Sequence, residues 1–138
     1  MECRFCDIAN KKVISKIVYE DNKIIAFLDR FPVNPGHVLV IPKEHYSSIW
    51  QLENELYTSI FKIVKQISSS IQEEIEPEKI GLLVAGYDID HCHIHIIPMY
   101  SRDDVATKRV HNNAWIEADI KEQEKLAIRL RKRISSLK

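Results

Sequence analysis

One long amphipathic pattern is the strongest constraint on how this chain folds. Across residues 52–75, apolar side chains recur at spacings of three and four, which places them on one face of an α-helix. Each aliphatic side chain buried along that face stabilises a core by roughly 1.5 to 3 kcal/mol. The residues on the face are Leu52, Leu56, Ile60, Val64, Ile67, Ile71 and Ile75. We therefore expect a long core helix in the middle of the chain.

Short β-branched runs surround this helix. The first two flank Asp21 and Asn22, a turn-forming pair that predicts a β-hairpin. The third run ends at Pro42, which withdraws a donor from the hydrogen-bond ladder, and Gly86 closes the fourth. The predicted strands are residues 16–20, 23–29, 37–42, 80–86 and 91–98.

A second helical pattern occupies the C-terminal end. Asp119 fits an N-cap with Glu122 three residues later. Residues 101–115, before it, lack periodicity and are expected to form a loop or an extended tail. The apolar positions of the predicted helix are Leu126, Leu130, Ile134 and Leu137. Strands, one inserted helix and one terminal helix predict an α+β fold with a mainly antiparallel five-stranded sheet.

Length and charge limit the possible classes of protein. A chain of 138 residues, 45% of them hydrophobic, suits a single domain over residues 1–138. Twenty basic and twenty acidic residues balance to zero, which argues against nucleic-acid or membrane partners. Since no secretory signal or membrane span is recognisable, we expect a cytoplasmic protein with reduced thiols.

Three histidines alternate with apolar residues in the segment HCHIHIIP, residues 91–98. In a strand, His91, His93 and His95 would share one face, about 6.6 to 7 Å apart, and Cys92 would face the core and be inert. Burying three imidazoles requires a partner for every ring nitrogen, so a merely polar sheet face is the less favoured interpretation. Two chemistries remain. The rings could hold a catalytic metal, or one neutral imidazole could act as a nucleophile.

Two other groups of residues carry weaker signals. Cys3 and Cys6 form a single CxxC pair, and a structural zinc needs two further ligands from elsewhere in the chain. The alternatives are a reduced, unliganded pair or a redox motif, although the N-terminal position weakens the second. His37, at a strand start, is expected to be structural, and no partner for His111 is identifiable.

At this point the chain resembles the histidine triad (HIT) family, in its zinc-containing Hint-like branch. The segments VYEDNKIIAFLD, NPGHVLVIPKEH and HCHIHIIP occur in the family's order, with a helix between the last two. The resemblance covers roughly residues 3–100, the core of a HIT domain, and leaves a tail and helix over 101–138. Histidine rather than glutamine at position 95 resembles the hydrolase branches.

The resemblance implies a nucleotide-binding hydrolase of nucleoside 5′-phosphoramidates, dinucleoside polyphosphates or related nucleoside phosphates. His93 would attack the α-phosphorus and form a nucleotidyl-histidine, while His95 would stabilise developing negative charge. Asp29 would bind the ribose hydroxyls of a purine nucleotide, although it could equally cap a turn. The base pocket would be lined by Phe5, Ile8, Phe27 and Leu28, each of which could equally be ordinary core.

The resemblance also completes the metal site. His45 and His91 would join Cys3 and Cys6 as ligands of a structural Zn²⁺ that does not activate water. A homodimer, formed through the long helix and the strand before the triad, is expected on the same ground.

The segment before the triad departs from the family pattern. Many members carry an asparagine and a Gly-Gln-Ser sequence there, whereas this chain has only AGYDID, residues 85–90. Tyr87 or Asp88 takes that place, which leaves the leaving-group preference open. Two alternatives therefore persist: a nucleotide sensor or scaffold with little turnover, and a zinc metallohydrolase that uses the histidine row as ligands.

Overall fold

The computed structural model describes residues 2–105 and 116–136, and its centre is an open antiparallel sheet of five strands. The sheet order is β1-β2-β3-β5-β4, and every neighbouring pair is antiparallel. The strands are β1 (Ile17–Glu20), β2 (Ile24–Leu28), β3 (Val38–Pro42), β4 (Lys79–Leu83) and β5 (Ile94–Met99). The helices are α1 (Arg4–Ala9), α2 (Asn54–Ile75), α3 (Asp103–Val105) and α4 (Ile120–Ser136), with a 3₁₀ turn at Ile49–Gln51. The predicted α+β fold, with its long central helix and its C-terminal helix, is confirmed.

The two long helices cover one face of the sheet and form the larger core. Helix α2 buries the middle of the predicted stripe, from Ile60 to Ile71, and α4 packs against both α2 and β1. Asp119 caps α4 as predicted, since its carboxylate accepts the N–H of Glu122 at 3.0 Å. Leu137, His111 and the rest of residues 106–115 lie outside the described residues. No helix in the described part of the chain is both long and apolar enough to cross a bilayer.

A smaller apolar cluster lies on the opposite face of the sheet. Phe5 and Ile8 of α1 pack there against side chains of β2 and β3. The sequence did not predict this helix, because six residues are too few to show a periodic pattern. Its first turn is capped by Cys3, whose sulfur accepts the N–H of Cys6 at 3.3 Å.

Strand β5 begins at Ile94, so the prediction that all three histidines lie in one strand is wrong. Val40 pairs with Ile94, and continuing that register would set Pro42 opposite Cys92. Pro42 has no N–H, so the ladder ends there. The N–H of Cys92 instead donates to the carbonyl of Tyr46 at 2.6 Å. Strand β4 also ends early, at Leu83 rather than at the predicted glycine.

Candidate active site and metal centre

Two cysteines and two histidines converge where α1 meets the residues before β5. The Cys3 sulfur lies 3.3 Å from Nδ1 of His91, and the Cys6 sulfur lies 3.4 Å from Nδ1 of both His45 and His91. A tetrahedral zinc with bonds of about 2.3 Å to sulfur and 2.0–2.1 Å to nitrogen would separate such atoms by about 3.6 Å. The four side chains predicted as metal ligands therefore fit the donor set and approximate spacing of one tetrahedral ion.

The ring of His91 is oriented for ligation. Its Nε2 lies 2.8 Å from the carbonyl oxygen of Pro42, which can only accept, so Nε2 carries the proton and Nδ1 presents its lone pair to the sulfurs. Burial lowers the pKa of His91, which favours the neutral form that a metal binds. Burial, together with Cys3, raises the pKa of the Cys6 thiol to about 11. A divalent cation would reverse that tendency by stabilising the thiolate.

A cavity of about 550 Å³ opens beside this centre, on the face of the sheet that carries α1. Its volume lies within the usual range for small-molecule sites, about 300–1,000 Å³. The structure brings all eight residues predicted to contact a nucleotide into its lining. They are Phe5, Ile8, Phe27, Leu28, Asp29, Asp88, His93 and His95. The ring of Phe5 packs edge-on against two others, with its centroid 5.5 Å from that of Phe27 and 5.0 Å from that of His93.

The middle histidine has a defined tautomer. Nδ1 of His93 lies 2.6 Å from the carbonyl oxygen of His91, so this nitrogen donates. In the neutral ring the lone pair is then on Nε2, and the residue as a whole is only 3% exposed. The arrangement gives His93 an unprotonated nitrogen beside the cavity, as a nucleophile requires.

The third histidine is held in the complementary state by His37. Val33 donates its N–H to Nδ1 of His37 at 3.0 Å, so the proton of the neutral His37 ring is on Nε2. That nitrogen lies 2.9 Å from Nδ1 of His95 and donates to it. In the neutral His95 ring, Nε2 therefore carries the proton, and this side chain can donate a hydrogen bond within the cavity.

Asp29 lies beside this chain of hydrogen bonds. One carboxylate oxygen accepts the N–H of Phe31 at 2.9 Å, and the other is 3.4 Å from Nε2 of His37 and 4.0 Å from Nδ1 of His95. These three side chains could also hold a cation by spacing alone. From the sequence, His37 was assigned a structural role. The one feature that could have indicated a part in the site is its position as a polar residue at the start of an apolar run.

Sequence reasoning also missed one side of the cavity, residues 117–123, which we call the outer wall. Its lining residues are Glu117, Ala118, Ile120 and Gln123. Two hydrogen bonds fasten the wall to the end of β2: Ala118 N–H to the carbonyl of Arg30 at 3.0 Å, and the Gln123 amide to the carbonyl of Asp29 at 2.7 Å. Because the aperiodic residues 101–115 precede it, no sequence pattern connects the wall to the cavity.

Comparison with known proteins agrees with this geometry. The HIT domain family model matches residues 10–102. The protein named hit of Bacillus subtilis is 39% identical over 107 residues, 74% of each chain, and the adenosine 5′-monophosphoramidase of Schizosaccharomyces pombe is 36% identical over 103 residues, 71% of this chain and 74% of the yeast enzyme. A hypothetical histidine triad nucleotide-binding protein from Sulfolobus tokodaii superposes with a TM-score of 0.82 at 32% identity, covering 98% of this chain and 93% of the other. The chain therefore belongs to the histidine triad family.

Proposed function

We propose that the protein hydrolyses nucleoside 5′-phosphoramidates, or closely related nucleoside phosphates, through a covalent nucleotidyl group on His93. The observation that carries this proposal is the 2.6 Å hydrogen bond from Nδ1 of His93 to the carbonyl of His91. It assigns the lone pair to Nε2, in a cavity of about 550 Å³ that has room for a nucleoside monophosphate. The yeast monophosphoramidase, a relative by sequence, supports this substrate class.

The reaction follows from the two opposite tautomers. Nε2 of His93 attacks the α-phosphorus, the P–N bond to the amine breaks, and the departing amine takes up a proton from solvent, which the later attack of water returns. Nε2–H of His95 donates to a phosphoryl oxygen as negative charge develops. Water then cleaves the bond between phosphorus and His93, which releases the nucleoside monophosphate and restores the free ring. Asp29 accepts a hydrogen bond from the ribose, and Asp88 also lines the cavity.

The metal has a structural role in this proposal. Cys3, Cys6, His45 and His91 would hold Zn²⁺ as a complete tetrahedral set with no position for a reacting water. Bound there, the ion would tie α1 to the residues before β5. The carbonyl of His91 orients the ring of His93. The bound ion on one side of the His91 ring and the carbonyl of Pro42 on the other would then hold this residue in place.

Incubating the protein with adenosine 5′-phosphoramidate and measuring its intact mass tests the mechanism. The wild type should gain one adenylyl group transiently, and His93→Asn should lose both this adduct and turnover while keeping its zinc content and unfolding midpoint. A metallohydrolase predicts that the variant loses metal and that added zinc restores its activity. A sensor or scaffold predicts nucleotide binding by the wild type without any adduct. Either result would overturn the proposal.

The proposed functional form is a homodimer. Strand β4 is at the edge of the sheet; Leu82 in the strand is 51% exposed, and Val84 directly after it is 42% exposed. A second copy of the chain would pair with this edge and cover the apolar side chains. Light scattering should therefore give twice the chain mass, and Leu82→Glu should shift it toward the monomer. A monomeric wild type would contradict this part of the proposal.

A further inference from the structure

The two cysteines of α1 are close enough to form a disulfide. Cys3 is the N-cap of the helix, and Cys6 lies three residues later, in its first turn. Their sulfurs and the ligand nitrogens of His45 and His91 all lie within 4.8 Å of one another. Rotation of the two cysteine side chains therefore suffices to close an S–S bond of about 2.05 Å.

The cysteines differ in their access to solvent. Cys6 is partly exposed, whereas Cys3 is 8% exposed. Cys92 is 3% exposed and lies in the core on the other face of the sheet. An accessible thiol beside a shielded second thiol is the usual arrangement in oxidant-sensing proteins, where the first sulfur is oxidised and the second resolves it. Cys6 is therefore the sulfur that a dissolved oxidant meets first, and Cys3 is its resolving partner.

A disulfide would connect different parts of the chain from those that the metal ligands connect. The four ligands join residues 3 and 6 to residues 45 and 91, across separations of 39 to 88 positions. A disulfide restrains only the segments that it links, and this one would link α1 to itself. Oxidation thus exchanges a connection between α1 and the sheet for a connection within one helical turn.

The position of α1 matters for the candidate active site because Phe5 lies between the two cysteines in sequence. Its ring centroid is 5.9 Å from that of His91 and 5.0 Å from that of His93. Once α1 separates from the sheet, these contacts are lost, and the cavity loses the wall that α1 forms. The state of the two sulfurs is therefore coupled to the surroundings of the proposed nucleophile.

We propose that peroxide converts Cys3 and Cys6 reversibly to a disulfide, which removes two zinc ligands, frees α1 and lowers turnover. This inference rests on the proposed function, in particular on its structural zinc, and adds regulation by oxidation.

The oxidation proceeds in two steps. The Cys6 sulfur attacks one oxygen of hydrogen peroxide, the O–O bond breaks, and the other oxygen leaves as water. The Cys3 sulfur then attacks the sulfenic sulfur, the S–O bond breaks, and a second water leaves as the S–S bond forms. The sulfurs lose two electrons, which the peroxide gains. The two protons come from the thiols or, when the sulfurs are bound to zinc, from solvent. A dithiol reverses the step by thiol–disulfide exchange.

Titrating the zinc-loaded full chain with hydrogen peroxide tests the inference. The intact mass should fall by two hydrogen atoms, peptide mapping should place the bridge between Cys3 and Cys6, and a chromogenic chelator should detect one Zn²⁺ for each bridge. Amides of residues 4–9 should exchange about 100- to 1,000-fold faster, the range by which a ligand at 100 to 1,000 times its Kd favours the bound state. Dithiothreitol with added zinc should reverse all of these changes. The matched control is Cys92→Ala, which should respond to peroxide as the wild type does.

The readouts separate this inference from the proposed reaction. Zinc release without the bridge, or a bridge that leaves α1 protected, would overturn the inference alone. Reversible bridging with zinc release, in a protein that forms no adenylyl adduct, would support the inference and overturn the proposed catalysis. A wild type that binds no zinc would overturn the inference and the structural role of the metal, whereas an adduct on that protein would still support the reaction at His93.

Discussion

Replacing Cys6 by serine should detach helix α1 from the sheet and leave the rest of the fold intact. Serine removes one of the four proposed zinc ligands, and the remaining Cys3, His45 and His91 would hold the ion far more weakly. Helix α1 has six residues, whereas an isolated helix needs about 12 to 15 to be even marginally stable. It therefore depends on its contacts and, in the proposed protein, on the bound zinc.

The free energies show why the metal decides the outcome. Burial of Phe5 and Ile8, each 4% exposed, stabilises the docked helix by about 3 to 6 kcal/mol. Fixing the backbone of six residues costs about 6 to 12 kcal/mol. The central values leave the docked helix about 4 to 5 kcal/mol short of balance without metal. A metal at a thousand times its Kd contributes about 4 kcal/mol, which closes most of that gap. We expect the undocked state to predominate in Cys6→Ser.

Hydrogen exchange measures this directly, since amides of residues 4–9 should lose protection while those of α2 and β5 keep theirs. KM for the phosphoramidate should rise about tenfold, because Phe5 no longer packs against His93 and the base. The control is Cys92→Ala, which removes a cysteine buried in the helix-side core and should leave zinc content unchanged. A zinc-free Cys6→Ser protein with full protection of α1 would refute this reasoning.

Other perturbations test separate parts of the molecule. His95→Ala should lower kcat about 100-fold with little change in KM, because it removes a donor to transition-state charge, and wild-type single-turnover rates would exclude this role. Asp104→Ala should lower the free energy of unfolding by about 3 kcal/mol in urea titrations, since one buried oxygen accepts from two backbone N–H groups and an asparagine amide; a loss below about 1 kcal/mol would contradict this. Glu20→Gln should cost about 0.5 to 1 kcal/mol at pH 7, given its partly exposed lysine partners. Those lysines hold the pKa of Glu20 below its usual 4.5, so the contribution is complete above that pH and is lost as the pH falls through the lower folded value; an undiminished difference near pH 3 would contradict the assignment.

The sequence predicted those parts of the fold whose patterns extend over enough residues. Helices α2 and α4 show three or more turns of periodicity, and the β-branched runs end at recognisable turn residues. The predicted start of β5 was wrong because it depends on the neighbouring strand. Pro42 was recognised as the end of its own strand, but its effect on the partner strand depends on register, which is a property of pairing and not of local sequence.

Which residues come together in the site could be predicted only where the family resemblance indicated it. Spacing alone left the cysteine pair with two unknown ligands and left the histidines with two chemistries. The pairing of His37 with His95 joins residues 58 positions apart, and no local pattern encodes such a contact. The outer wall was missed because nothing in its composition distinguishes it from an ordinary helix start.

The early end of the β3–β5 ladder gives the segment around His91 a property that a regular strand would lack. His91 presents its ring to the proposed metal site and its carbonyl to His93. In the proposed enzyme the ion thus acts as a mechanical support, and its coordination geometry matters more than its strength as a Lewis acid. Another tetrahedral ion, such as cobalt(II), would preserve turnover, whereas an ion that demands a square-planar arrangement would displace the carbonyl and misalign the reacting ring.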